Sequence, residues 1–427
     1  MINELPVKVR QDNLILAGVW FGTSEPKMSL FLKPFVNEAR KLAVEGVRWK
    51  REEEMVTSKL FGICCCVDSV ARAPMKNKIQ YNGYFGCEFC YHPGKCVNRT
   101  VKYPVDVCEY TDRKNDEMLQ DMQTALEEAR LVRGIKGPSP LINLPQFEIV
   151  WGFVPDYMHC VALGVVKHLV EHWLESPDEE WYIGTPNKIQ ILDQRLRGIK
   201  PPSVISRVPR EISKRKSWKA SEWHNWLMYF SLPCLQGLLP GPYLSHYSAL
   251  VEAMFLLMQK SVSPADVNRA DELLWAFVVQ IQALYGSYAM KYNIHSLTHL
   301  AKSAKLWGPL WAHTCFPLES ANALVKTLHG NRGIPQQVMH NFLMDKALPV
   351  FQEMFDISAS TEQFLETLNK KRKPVPTDQL GSILLYGQPK LQQLTDVEIA
   401  TLNASGYAVL DNVNVYVCFW QKRIFVL

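Results

Sequence analysis

The sequence predicts a mixed α/β protein with a large helical region and a small β-rich region at its end. Two apolar runs near the start, residues 13–22 and 59–67, are typical of buried strands and flank a helical pattern. From about residue 112 to 360, most segments instead show helical periodicity. Because this stretch exceeds what the connections of one sheet require, we expect an α-helical insertion within or after a small mixed domain.

The first elements follow one another as strand, helix and strand. The run over residues 13–22 stops at Gly22, and apolar residues spaced by three and four predict a helix over 30–46. The almost wholly apolar run 59–67 leads directly into Asp68. An acid at the end of an interior strand is the first indication of chemistry.

The rest of the chain divides into loop, helical and β-rich parts. Residues 78–108 have the glycine, proline and polar content of a loop. The predicted helices cover residues 112–132, 157–175, 186–197, 244–261, 264–290 and 335–356. The five predicted regions are an α/β core over 1–77, a loop and helical insertion over 78–290, a segment completing the core over 291–360, a basic linker over 361–377 and a small β-rich region over 378–427.

Composition restricts the class of protein. The 427 residues are 47% hydrophobic and 21% charged, which predicts a folded, soluble protein rather than a disordered or fibrous one. The net charge of +5 permits an anionic partner without indicating one. Eleven cysteines are too sparse for a disulfide scaffold and favour a reducing compartment. We find no secretory pattern and no apolar stretch long enough to span a membrane.

A Cys-x-x-Cys pair is the most specific local motif. Cys87 and Cys90 can supply two thiolates to one tetrahedral Zn²⁺, and His295 and His299, four apart on one predicted helix face, can supply two imidazoles. Either pair alone is also typical of ordinary buried residues. A local four-cysteine site with Cys96 and Cys108 lacks the second Cys-x-x-Cys spacing. We interpret the four residues Cys87, Cys90, His295 and His299 as one structural zinc site.

Two acids provide a second candidate site. Asp68 ends a strand, and Glu319 follows Pro317 near a predicted helix N-terminus. Carboxylates placed in this way could jointly hold Mg²⁺ for phosphoryl transfer. A lone aspartate at a strand end is also typical of a cap or turn, so these residues alone do not predict a nuclease.

Eight sequence blocks together resemble the catalytic region of CACTA (En/Spm) DDE/D transposases over roughly residues 1–350. The blocks are Ile2-Asn3-Glu4-Leu5-Pro6, Leu16-Ala17-Gly18-Val19-Trp20-Phe21-Gly22, Asp68-Ser69-Val70-Ala71-Arg72-Ala73, Asn82-Gly83-Tyr84-Phe85-Gly86-Cys87-Glu88-Phe89-Cys90, Asp156-Tyr157-Met158-His159, Trp218-Lys219-Ala220-Ser221-Glu222-Trp223, Asn293-Ile294-His295-Ser296-Leu297-Thr298-His299 and Phe316-Pro317-Leu318-Glu319-Ser320-Ala321-Asn322.

The resemblance implies an RNase H-like core interrupted by an insertion, with three acids that bind two Mg²⁺ ions for DNA strand cleavage and transfer. Asp68 matches the family's second acid and Glu319 its third. The chain is also similar to Transib transposases and the V(D)J recombinase catalytic subunit, in which a zinc ion links Cys-x-x-Cys to a histidine pair. The histidine spacing here is one residue shorter. Assembly of several copies on DNA ends is implied as well.

The Asp156 to His159 block is open to two interpretations. His159 could be an accessory site residue, or a rival zinc ligand, with Asp156 beside it. Alternatively, Asp156 caps a helix and His159 belongs to the core.

The family's first acid lies on a strand upstream of the Asn-Glu-Leu-Pro block, which here begins at residue 3. The first strand of the RNase H-like sheet and its acid are therefore expected to be missing. Asp12 does not replace that acid, since its surroundings are typical of a turn. We expect a transposon-derived protein that is inactive in cleavage as given. The alternative is a non-catalytic, zinc-stabilised DNA- or protein-binding protein.

Two basic segments suggest contact with DNA and a nuclear location. The first lies around Trp218 and Trp223, whose rings would give aromatic support to phosphate contacts, although solvated helix faces give the same pattern. Its basic residues are Arg207, Arg210, Lys214, Arg215, Lys216 and Lys219. Lys370 to Lys373 resembles a nuclear import signal, although a solvated linker has the same composition. A cysteine-dependent redox enzyme is disfavoured, because the Cys-x-x-Cys lies in a loop.

Overall fold

A computed structural model gives the fold in two units, Met1–Leu343 and Met344–Leu427. The structure describes residues 4–12, 14–106, 110–202, 205, 207–325, 334–354, 357–368, 378–380, 383–386, 390–394, 396–404, 412–415 and 418–421. The protein is mixed α/β with small sheets, as the sequence predicts.

The first part of the larger unit is built from short strands, helices and long loops. Its elements are α1 (Val7–Asp12), α2 (Met28–Val44), β1 (Val47–Arg51), β2 (Glu54–Ser58), β3 (Cys65–Cys66), α3 (Ser69–Met75), β4 (Lys95–Val97), β5 (Thr100–Lys102), α4 (Asn115–Glu127) and β6 (Phe153–Val154). The pairs β1–β2 and β4–β5 are antiparallel hairpins. By contrast, β3 and β6 are parallel, with Cys65 opposite Phe153 and Cys66 opposite Val154.

Helices form most of the remaining part. They are α5 (Lys167–Glu175), α6 (Pro186–Gly198), α7 (Ala220–Asn225), α8 (Ser231–Leu235), α9 (Gly241–Leu257), α10 (Pro264–Tyr285), α11 (Tyr292–Ser296), α12 (Leu300–Trp307), α13 (Phe316–Val325) and α14 (Ile334–Met354). Helix α14 continues into the smaller unit, which also contains α15 (Ala359–Leu368). Local chemistry sets the bounds of α10: Ser263 and Asp266 form a capping box at its start, and Gly286 follows its end at φ +80°.

Two clusters of buried side chains support the larger unit. The helical core lies among the helices from residue 157 to 310 and is centred on Trp173, Trp223, Trp226, Tyr247 and Tyr285. The loop core contains both cysteines of the Cys-x-x-Cys motif together with Leu32, Phe89, Tyr103, Trp151 and Phe153.

The smaller unit contains short antiparallel sheets and one further helix. Its elements are β7 (Asp378–Leu380), β8 (Ile383–Tyr386), β9 (Lys390–Gln393), α16 (Asp396–Ala404), β10 (Asn412–Val415) and β11 (Cys418–Gln421). Strand β8 pairs with β7 and β11, and β9 pairs with β10. Small sheets therefore occur where the sequence predicts a β-rich region.

The structure corrects several predicted elements. Residues 14–21 form no strand and are largely exposed, with Ile15 73% and Phe21 61% accessible. Apolar character does not supply a partner for backbone hydrogen bonding, and no described strand pairs with this run. The predicted strand 59–67 is reduced to β3, and the hairpin β1–β2 was not predicted, because its turn at Glu52 lacks the usual Asn-Gly signal.

Two further corrections concern helices. Nine residues of the predicted helix 157–175, Met158–Val166, form a π-helix before α5. Helix α15 occupies residues 361–368 of the predicted linker, because apolar positions there follow a helical repeat. Residues 369–377, including the basic run 370–373, lie outside the described residues.

Candidate functional site

The Cys-x-x-Cys loop is held in place by two buried cations. Cys87 and Cys90 are both buried in the loop between α3 and β4. Lys78 Nζ donates hydrogen bonds to the carbonyls of Gly86 and Cys87, at 2.8 and 3.1 Å. Arg113 Nε donates to the carbonyls of Cys87 and Cys90, at 3.2 and 3.0 Å. These bonds satisfy the backbone of an irregular buried segment and fix the direction of its thiols.

The histidine pair reaches the same point from the far end of the chain. His295 lies on α11 and His299 on the 3₁₀ turn Leu297–His299, so the predicted single helix face is replaced by two short turns. Both side chains are buried. Tyr103 stacks on His295 with ring centroids 5.0 Å apart, and Phe89 packs against His299 at 5.3 Å. These aromatic contacts orient the two imidazoles toward the cysteines.

The four side chains form one compact set of ligand atoms within 4.8 Å of one another. His295 Nε2 lies 3.2 Å from Cys87 Sγ, 3.3 Å from Cys90 Sγ and 3.3 Å from His299 Nε2. His299 Nε2 lies 3.4 Å from Cys87 Sγ. Tetrahedral zinc, with Zn–S near 2.3 Å and Zn–N near 2.05 Å, requires S···N and N···N separations of about 3.5 and 3.4 Å. The cluster can therefore hold a metal ion such as zinc.

The electrostatic surroundings also favour a metal ligand. Burial raises the pKa of Cys87, but a hydrogen bond from Cys90 and electrostatic interactions with His295 and His299 outweigh it and hold the pKa below its usual range. The hydrogen bond to Cys87 and burial raise the pKa of Cys90. The two buried thiols share one proton. A divalent cation would replace this proton, because it binds both sulfur atoms as thiolates.

Further charges are buried beside the cluster. Arg72 and Glu88 form an ion pair at 2.8 Å, with both side chains 3% exposed. Lys76 donates to the carbonyl of Val150 at 3.1 Å, and burial lowers the pKa of its ammonium to about 7. Burial likewise lowers the pKa of Lys78 to about 7. Near neutral pH these two lysines are therefore only partly charged.

A second cluster lies at the carboxyl ends of the parallel pair β3–β6. Asp68 follows β3 by two residues and Asp156 follows β6 by two residues. Because parallel strands end at the same edge of a sheet, the two acids are brought to one side. Asp68 caps α3, and its carboxylate accepts a hydrogen bond from the backbone of Ala71 at 2.6 Å. The cap role predicted as the alternative for Asp68 is therefore present.

Asp156 organises the surrounding segments. One carboxylate oxygen accepts hydrogen bonds from His159 Nδ1 at 2.7 Å and from the His159 backbone at 2.9 Å. The other accepts from the Thr314 hydroxyl at 3.1 Å and from the Cys315 backbone at 2.7 Å, directly before α13. Burial raises the pKa of Asp156, but these hydrogen bonds outweigh it and lower the pKa below its usual range. A single buried carboxylate thereby fixes both the π-helix and the start of α13.

This arrangement brings His159 near both predicted catalytic acids. Its hydrogen bond to Asp156 raises the pKa of His159, with further increases from the charges of Asp68 and Glu319. Glu319 lies in the first turn of α13 and is exposed. His159 takes no part in the Cys-His cluster, although Asp156, His159 and Cys315 also have ligand atoms within 4.8 Å. Among the described residues, no group of three potential metal ligands at this spacing includes Asp68 or Glu319.

The predicted DNA-binding residues are engaged with acids. Arg210 binds Glu222 at 2.7 Å, and Arg215 binds Glu175 at 2.7 Å. The ammonium of Lys216 lies 3.6 Å from the carboxylate of Glu175. Lys214 also forms an ion pair, with Glu211. The backbone N–H of Lys219 donates a hydrogen bond to the carboxylate of Glu222. DNA contact through these residues stays a prediction.

The aromatic support proposed for that basic segment is wrong. Trp218 and Trp223 are buried at 6% and 1% exposure, and their ring centroids lie 4.7 Å apart. Both rings belong to the helical core, because their apolar area is better buried than exposed to solvent. They are therefore inaccessible to nucleic-acid bases.

Sequence reasoning missed the buried cations around the metal ligands. Lys78 and Arg113 occur in loop segments where their residue types normally indicate exposure. No spacing links them to the cysteines. Of the rival zinc ligands, Cys96 is exposed and Cys108 lies outside the described residues.

Within the described parts of the chain, no helix combines the length and the apolar character needed to cross a membrane. Comparison with known proteins found no matching protein-family model and no matching curated protein.

Proposed function

We propose that this protein is derived from a DDE/D transposase, an enzyme of DNA strand cleavage and transfer, with an RNase H-like core, and that it is stabilised by a Cys₂His₂ zinc ion and acts in the nucleus. The observation that carries the proposal is the hydrogen bonding of Asp156 to both His159 and the start of α13. Through these bonds, residues from distant parts of the chain meet at the end of β3.

Zinc is the proposed ion for the cluster of Cys87, Cys90, His295 and His299. Two sulfur and two imidazole ligands at tetrahedral spacing, all buried, are typical of a closed structural zinc site. The ion would join the loop at residue 87 to the turn at residue 295. Its proposed role is to hold these segments together, because the loop that carries Cys87 and Cys90 has little regular structure.

Asp68 and Glu319 are the proposed catalytic acids. Carboxylate oxygens suit Mg²⁺, which supplies charge stabilisation to a phosphoryl group when bound. These two carboxylates would supply ligands for one ion. A two-ion site of the DDE/D kind would need three acids. His159 is oriented by Asp156, and this hydrogen bond and the nearby acids raise its pKa, which suits it to donate a proton to the 3′ oxygen that leaves when a phosphodiester is hydrolysed.

A non-catalytic, zinc-stabilised DNA-binding protein is the second candidate. It is favoured by the cap role of Asp68, whose oxygen is already engaged with Ala71. It is also favoured by the exposure of Glu319 and by the fact that, among the described residues, no group of three potential metal ligands includes either acid. In this case the acids have no catalytic role, and DNA binding would not depend on a divalent cation.

A plasmid-nicking assay distinguishes the candidates. The zinc-loaded chain is incubated with supercoiled DNA and either Mg²⁺ or Mn²⁺, alongside Asp68→Asn, Glu319→Gln and the surface control Glu272→Gln. Glu272 is exposed and lies on α10, outside both clusters. Nicking that is lost in the first two variants and retained in the control supports the catalytic proposal.

Binding of DNA without nicking supports the second candidate. Nicking that persists in Asp68→Asn and Glu319→Gln would instead reveal a contaminating nuclease and contradict the assigned acids. Absence of both DNA binding and bound zinc would contradict both candidates.

A further inference from the structure

We propose that a groove between β4–β5 and the segment at residue 291 binds the phosphate backbone of a single DNA strand. The groove encloses about 630 Å³ and is lined by Arg99, Lys102 and Lys291 together with tyrosine side chains. This inference rests on the proposed function for its choice of DNA, and it adds a surface separate from the basic segment at residues 210–219.

Charge is the first observation. None of the described residues that line the groove is acidic. Within the described chain, Arg99, Lys102 and Lys291 form no ion pair, in contrast to Arg210 and Arg215. Burial, followed by repulsion from Lys102, lowers the pKa of Lys291. The attraction of Glu171 for Lys291 is smaller than the repulsion from Lys102, and an anionic ligand would relieve this repulsion.

The position of Arg99 is the second observation. Asn98 and Arg99 form the two-residue turn between β4 and β5, with φ +49° and +61°. Both values match a hairpin turn that favours Asn-Gly, so an arginine at its second position is conformationally unfavourable. Strained backbone conformations of this kind cluster at functional sites, where the role of a side chain outweighs its local conformational preference.

Aromatic side chains form the other part of the groove. Tyr84 is 57% exposed, whereas Tyr292 is buried and stacks on Tyr81 with ring centroids 5.3 Å apart. An exposed tyrosine beside unpaired cations suits base stacking next to phosphate contacts. A site for inorganic anions alone would have no use for this aromatic surface.

The location connects the groove to the predicted catalytic acids. Ser69, which directly follows Asp68, lines one end. Asn293 and Lys291 also line a neighbouring cavity of about 220 Å³ beside the π-helix that carries His159. A strand lying in the groove would therefore run past the carboxyl end of β3.

The two sides of the groove are fixed relative to one another. The backbone of Tyr103, directly after β5, donates a hydrogen bond to the carbonyl of Met290 at 2.8 Å. Tyr103 also stacks on His295 of the Cys-His cluster. The metal ligands thus support both sides, so the groove is preorganised once the loop core is folded.

The test is fluorescence anisotropy with a labelled single-stranded oligodeoxynucleotide and the zinc-loaded chain, without added Mg²⁺, over a series of salt concentrations. The double variant Arg99→Gln/Lys291→Gln is compared with Arg269→Gln/Lys50→Gln, which removes the same charge from an exposed, ion-paired arginine and lysine outside the groove and outside the predicted basic segment. We expect the first to weaken binding about tenfold or more and to reduce the salt slope by about 1.4. The second should change affinity less than about twofold.

Wild-type affinity in Arg99→Gln/Lys291→Gln, or equal losses in both double variants, would overturn the proposal. Tyr84→Ala provides an independent variant on an exposed side chain, and we expect about fivefold weaker binding with an unchanged salt slope. Zinc content and melting temperature are measured for each variant. If the charge variant fails to fold, loss of affinity in folded Tyr84→Ala supports the groove, whereas unchanged affinity contradicts it.

Competitors separate DNA from other anions. Unlabelled single-stranded DNA should compete more strongly than inorganic polyphosphate at equal phosphate concentration, and equal competition would contradict the nucleic-acid assignment. Failure of the groove is distinguishable from failure of the proposed catalysis. Groove-dependent binding without nicking contradicts only the catalysis, whereas Asp68-dependent nicking with normal binding by the groove variants contradicts only the groove.

Discussion

The helical core and the loop core differ in what stabilises them. The helical core buries large apolar side chains such as Trp173 and Trp226 between regular helices. The loop core surrounds the irregular Cys-x-x-Cys segment. Arg72, Lys78 and Arg113 are buried beside it, together with the metal ligands. Burial of apolar area stabilises the first, whereas the second depends on satisfied charges and ligation. Substitutions of the same chemical type should therefore have different effects in the two cores.

Loss of zinc should produce the largest difference between the cores. We expect Cys87→Ser to lose the bound ion and unfold the loop core, since zinc binding contributes about 10–16 kcal/mol in small zinc domains. The matched control is Cys234→Ser, at a buried cysteine of the helical core. It should retain about one zinc per chain. Elemental analysis and near-UV circular dichroism measure these outcomes, and well-folded wild-type protein without zinc would refute the site.

The metal ligands were predictable because their spacing follows from coordination chemistry. Cys87 and Cys90 lie close enough in sequence to bind one ion, and His295 and His299 could be paired with them through the family resemblance. The buried partners Lys78 and Arg113 were not predictable. Their role depends on hydrogen bonds to backbone carbonyls, which leave no repeat or motif in the sequence.

Helices were predicted more reliably than strands. The helix predicted over 30–46 appears as α2, and the one predicted over 264–290 appears as α10. Helical periodicity and caps are local signals, whereas a strand requires a partner elsewhere in the chain. The run at residues 14–21 is apolar but pairs with no described strand, while β3 pairs with β6 far along the chain.

Glu88→Gln should cause the next largest loss of stability. The substitution leaves the Arg72 guanidinium buried at 3% exposure without its counter-charge, which costs about 3–5 kcal/mol in comparable cases. The matched control is Glu222→Gln, where the partner Arg210 is 46% exposed and can be solvated. Urea unfolding measures both variants. Equal losses of unfolding free energy in Glu88→Gln and Glu222→Gln would contradict a special dependence of the loop core on its buried charges.

The helical core should respond to acid through His246. This side chain is buried, stacks on Phe277 at 4.1 Å, and burial lowers its pKa to about 4. Because the unfolded chain binds a proton near pH 6.5, stability falls as the pH drops below that value. From pH 7.5 to 5.0, this one group should cost about 2 kcal/mol.

His246→Phe should remove that part of the acid sensitivity while preserving an aromatic side chain. The experiment is urea unfolding at both pH values. His92→Phe is not a suitable control, because His92 packs against the metal-ligand candidate His295. The exposed His340 provides a suitable control through His340→Phe. An unchanged pH dependence in His246→Phe would contradict the assigned role.

The smallest effect is expected at the basic segment on the surface. Lys216 and Arg215 both bind Glu175, but the Lys216 side chain is 78% exposed and that of Arg215 only 10%. Lys216→Gln should change the free energy of unfolding by less than about 0.5 kcal/mol, because an exposed ion pair gains little over solvation. Arg215→Gln should lower the free energy of unfolding by measurably more, because the largely buried guanidinium of Arg215 loses its ion pair with the carboxylate of Glu175. Equal effects in urea unfolding would show that burial does not control the strength of these neighbouring ion pairs.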